Sequence, residues 1–132
     1  MSIQANVFVM GAEVIMTNLL RILLESDGYQ VATVRNRSTA NPILHTERVD
    51  LIVFDVPPFE PDVVAVVEEL RRMFDAPLII LSSAANPTVT TQALQVGASA
   101  YIVKPFSAQN FLDEVEQCLS QNKRAAYSTH RI

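Results

Sequence analysis

A chain of 132 residues has room for one compact domain and a single real core, and 49% apolar against 18% charged residues excludes a disordered polymer. A formal charge of −4 argues against a nucleic-acid or anionic-membrane surface, because such surfaces need clustered Lys and Arg. No apolar stretch approaches the ~18 residues that a membrane span requires.

The opening M-S-I-Q-A has neither the basic start nor the long apolar run of a signal peptide. V-F-V-M (7–10) is the first apolar run. In 14–24 the apolar residues take helical spacing, with Val14, Ile15, Leu19, Ile22 and Leu23 expected along one side and Gly28 ending the helix. Y-Q-V-A-T-V (29–34) mixes in polar residues, as an edge strand does. Pro42 suits the first turn of a second helix. L-I-V-F (51–54) closes on Asp55, and D-V-P-P-F-E-P follows. In 62–74, Val63, Val66, Val67, Leu70 and Met73 form a stripe opposite Glu68, Glu69, Arg71 and Arg72. L-I-I-L (78–81) closes on Ser82 and Ser83, and Pro87 suits the first turn of a fourth helix. A-Y-I-V (100–103) closes on Lys104, and Ser107 is the expected N-cap of a helix over 108–119. Phe111, Leu112, Val115, Cys118 and Leu119 line that helix, which makes Cys118 a core residue. It is the only cysteine, with no C-x-x-C or Cys/His cluster, so a reducing cytoplasm is expected. Residues 122–132 lose the apolar period, so a domain over 1–121 with a tail or linker after it is expected.

Strand and helix alternate five times, which predicts a parallel sheet covered by helices on both faces. Ligands of such sheets collect at the carboxyl ends of the strands. Asp55 and Lys104 are opposite charges at two such ends, and the chain's other lysine, Lys123, lies near the C-terminus. Taken alone, Asp55 could cap a strand, Lys104 could be solvated, and Tyr101 could be a half-buried edge aromatic. His45 and His130 have no partners at ligand spacing and read as surface residues; Met10 and Met16 read as packing. Three glycines and no G-x-G-x-x-G disfavour a dinucleotide site. A flavin-binding relative of this fold is disfavoured by the lack of a Ser/Thr-rich loop after the first strand.

Together, D-L-I-V-F-D, P-L-I-I-L-S and G-A-S-A-Y-I-V-K-P-F resemble the receiver domain of bacterial two-component response regulators, over roughly residues 5–120. The resemblance implies a three-layer (βα)5 doubly wound fold with flavodoxin-like strand order 2-1-3-4-5. It places Asp55 at the phosphoacceptor position and Ser82 and Lys104 on the phosphoryl group. Tyr101 falls at the aromatic switch position, and the Lys104–Pro105 bond is expected cis. The family's acidic, magnesium-holding pair would fall on Gly11 and Ala12, neither of which can ligate through a side chain. Glu13, next along, is expected to face solvent. The loop after Asp55 looks one residue short.

Asp55 facing Lys104 alone makes a neutral pocket with little to attract Mg2+, which favours carboxylate, water and phosphate oxygens. No cofactor is firmly implied, and Mg2+ binding at Asp55 is expected weak or absent. The leading expectation is an atypical signalling receiver, not an enzyme, acting through protein contacts with little phosphorylation at Asp55. The alternative is a competent phosphoacceptor served by a histidine kinase. A histidine kinase or phosphotransfer protein is one expected partner. Another is an effector or a second copy, on the face built from the helix after Pro87, the strand 100–103 and the helix 108–119. No charged residue lies between Asp75 and Lys104, so a salt-bridged dimer there is not expected. No nucleic acid or membrane is expected as a partner.

Overall fold

The computed structural model describes residues 5–35, 48–58, 60–84 and 86–130, with side chains described up to residue 120. The described residues form five strands and four helices, in the order β1 (Asn6–Met10), α1 (Val14–Ser26), β2 (Gln30–Val34), β3 (Leu51–Asp55), α2 (Val63–Met73), β4 (Leu78–Ser82), α3 (Pro87–Gln95), β5 (Ala100–Val103) and α4 (Ala108–His130). The helix expected near Pro42 lies outside the described residues, as does His45. All strand pairs are parallel, in the order β2-β1-β3-β4-β5. The polar-laced β2 stands at an edge, as its sequence suggested, while β3 and β4 are buried along their whole length. A strand covered on both faces has no solvent side to keep polar, which explains their unbroken apolar sequences.

Alternation along the strands divides the core in two. Phe8, Met10, Ile52, Phe54 and Ile80 face α2 and α3. Val7, Val9, Val53, Ile79 and Leu81 face α1 and α4, against Leu20, Leu24, Phe111 and Val115. Asp62 caps α2 by accepting from the Ala65 N–H at 3.0 Å, and Asn86 caps α3 through the Thr88 N–H at 2.9 Å. Pro87 opens α3, where a missing N–H costs nothing. Ser107 caps α4 through the Asn110 N–H at 3.0 Å. Gly28 ends α1 with φ +93, a region that favours glycine.

Two expectations need correction. Most of the expected stripe of α1 does not face the core: Val14, Ile15, Leu19 and Ile22 are exposed, Ile15 at 81%, while Leu23 is half-buried against it. Thr17, Leu20 and Leu24 turn inward instead. The helix is apolar on nearly all sides, so its period could not say which side the sheet would take. The second correction concerns the last helix, expected over 108–119, which runs on to His130. Among the described residues, no helix is long and apolar enough to cross a membrane.

Candidate functional site

The carboxyl ends of β1, β3, β4 and β5 meet at one edge of the sheet. Asp55 is the last residue of β3 and pairs in register with Leu81 of β4. The chain then holds to β4 through Val56 N–H donating to the Leu81 carbonyl at 2.8 Å. On the other side of β4, the Lys104 N–H donates to the Ser82 carbonyl at 2.9 Å. The Lys104–Pro105 bond is cis, as expected. From that position the Lys104 ammonium reaches across β4 to form an ion pair with Asp55 Oδ1, and it lies 3.4 Å from the Val56 carbonyl. Asp55 is 3% exposed, so the pair is largely shielded from water.

Burial pushes the Asp55 carboxyl above its ordinary range, outweighing the hydrogen bond and positive charge of Lys104. The negative charge of Glu13 adds to the rise. Glu13 is therefore close enough to be felt at Asp55. Though exposed, it joins Ala12, Asp55, Pro57 and Pro58 around a cleft of about 160 Å3. Glu13 is exposed at the N-cap of α1, as expected, and it borders the site as well.

Ser82 is buried at 3% exposure, whereas Ser83 is exposed. The Ser82 hydroxyl accepts from the Ala84 N–H at 3.1 Å. Tyr101, half-buried against the α2–α3 side of the core, donates its hydroxyl to the Ala84 carbonyl at 3.1 Å. One residue of the β4–α3 loop thus ties Ser82 to Tyr101.

Gly11, just past β1, donates its N–H to the Val34 carbonyl at 2.9 Å and is buried against Asp55. A Cβ placed there would stand 3.0 Å from Asp55 Cβ, 3.0 Å from Thr17 Cγ2 and 3.4 Å from Asp55 Oδ2. Ala12 is exposed and offers no donor. The oxygens at the cleft are those of Asp55, Glu13 and the adjoining backbone, and Asp55 Oδ1 already faces an ammonium. Thr17 went unnoticed in the sequence. Its one signal was a polar β-branched residue in the first turn of an otherwise apolar helix.

Residues 7–116 match the sequence pattern of the response regulator receiver domain. The chain is 28% identical over 124 residues to the probable transcriptional regulator ycf27 of Guillardia theta, covering 94% of this chain and 49% of that protein. Among solved structures, the signal receiver domain of a signal transduction histidine kinase from Syntrophus aciditrophicus is 30% identical with a TM-score of 0.77, covering 91% of this chain and 93% of that one. A response regulator from Thermotoga maritima is 27% identical with a TM-score of 0.80, covering 89% and 99%. The chain spans about half the length of the curated relatives it matches.

Proposed function

This chain belongs to the response regulator receiver family, and from that premise we propose that it relays signals through protein contacts while Asp55 accepts phosphoryl groups poorly. The observation that carries the reading is the electroneutral pair of Asp55 and Lys104, with Gly11 against the aspartate where a second carboxylate would be needed. Phosphoryl transfer to Asp55 would have a carboxylate oxygen form a bond to phosphorus as the bond to the donor's leaving group breaks. A magnesium ion, where bound, offsets the charge on the transferring group. The residues at positions 11 and 12 do not fit that ion, because neither has a ligating side chain. Losing such electrostatic help costs roughly a hundredfold to a thousandfold in rate.

In this reading Lys104 neutralises Asp55, Ser82 offers a hydroxyl, and Tyr101 is held inward by Ala84. The exposed apolar side of α1, with Ile15, Leu19 and Ile22, supplies a docking surface for a histidine kinase or phosphotransfer protein. The uncharged face of α3 and β5, flanked by α4, supplies another for an effector or a second copy. Interface centres are typically poor in charge. The continued α4 suits a helical connection out of a domain ending near residue 121.

The test is acetyl phosphate with Mg2+, read by intact mass. The expected result is no stoichiometric adduct. A full adduct on the native chain that disappears in Asp55→Asn would overturn the reading. One observation favours the competent alternative: Glu13 puts a second carboxylate beside the cleft. Glu13→Gln distinguishes the two, since it removes an adduct only if Glu13 helps hold the ion.

A further inference from the structure

Position 11 is constrained by space and not by backbone conformation, since Gly28 and Gly97 are the glycines with positive φ. An added Cβ would meet Asp55 Cβ at 3.0 Å and, from a helix residue, Thr17 Cγ2 at the same distance. Thr17 is 7% exposed, and its orientation is fixed by its own helix. The hydroxyl donates back to the carbonyls of Glu13 and Val14, each at 3.1 Å. This back-bonding is a common way for threonine to satisfy its oxygen in a helix. With the oxygen committed to the backbone, the methyl is the branch left to point at Gly11. A methyl group therefore stands against position 11, beside Asp55.

We propose that Thr17 decides whether position 11 can contribute to a cation site, its methyl crowding the Cβ that any ligating side chain there would need. The proposal rests on the reading of this chain as a metal-poor receiver and extends it to a named residue. Gly11→Asp by itself then fails to build a site, because the new side chain is displaced from Asp55. Thr17→Ser is the complementary change. It deletes Cγ2 while keeping the hydroxyl and both back-bonds, so the first turn of α1 is preserved.

Mn2+ binding, followed by water-proton relaxation, is measured for the native chain, Gly11→Asp, Thr17→Ser and the double variant. The expected result is an affinity for the double variant at least about tenfold above that of Gly11→Asp, a change of the size that supporting residues give at metal sites. An equal affinity for these two variants would overturn the proposal. Thermal melts give a readout without metal. Gly11→Ala is expected to lower Tm less in the Thr17→Ser background than in the native one, and an equal loss in both backgrounds counts against the proposal. Tight binding by the native chain would instead sink the metal-poor reading and leave the ratio between variants to judge Thr17.

Discussion

Asp55 carries an unusual pH signature. Its carboxyl is raised by burial, so the folded chain holds a proton over a range in which the unfolded chain has released it. Stability from this group is greatest below the unfolded value and declines as pH rises towards the folded value. Asp55→Asn removes that slope and also strips Lys104 of its counter-ion. Melting curves from about pH 4 to about pH 7 should show the variant gaining on the native chain as pH rises. A difference independent of pH would contradict the raised value. Cys118 is a second residue-scale case. Burial, aided by the charge of Glu114, pushes its thiol up to about 11. The folded chain should therefore resist maleimide at neutral pH and react once denatured, as mass spectrometry would show. Asp55, Lys104 and Ser82 were legible because a polar residue closing an apolar run has few places to go but the strand end. Glu13 and Thr17 were not, because the angle at which α1 leaves Gly11 decides which of its residues border the cleft.

Among the elements, α1 shows where periodicity fails. Met16, Leu20, Leu23 and Leu24 compete with Val14, Ile15, Leu19 and Ile22, so several faces satisfy the same spacing. The packed structure separates them energetically. Leu20→Ala should cost about 2–5 kcal/mol in denaturant unfolding, since Leu20 is fully buried. Ile15→Ser should stay within about 0.5 kcal/mol, because its side chain is already in water. Similar costs at the two positions would mean that α1 is turned the other way. The stripe of α2 had no such competition, because Glu68 and Arg72 mark its outer side. The turn between α3 and β5 gives another element-scale test. Gly97 has φ +127, and a Cβ there would overlap Arg71 Cγ and Cδ. Gly97→Ala should destabilise the fold by at least ~1 kcal/mol, measured by the same unfolding curves.

For the molecule as a whole, the β4–α3 loop lies between the site at the sheet edge and the α3–β5 face. Ala84 joins Ser82 to Tyr101 through two hydrogen bonds. On the proposed metal-poor reading, beryllofluoride with Mg2+ should leave the Tyr101 ring resonances unchanged in an NMR titration. A large shift would show a working switch and a bound ion. The sequence by itself determined the layered parallel sheet, its polar edge strand and the placing of Asp55 and Lys104 at strand ends. Those follow from local rules: unbroken apolar runs must be covered on both faces, and a charge that ends one must emerge at the sheet's edge. Only the tertiary structure decided which side of α1 reached the core, that Glu13 borders the cleft, and that Thr17 lies on Gly11. Each depends on how one element is rotated against another, and that rotation is set by packing among distant residues.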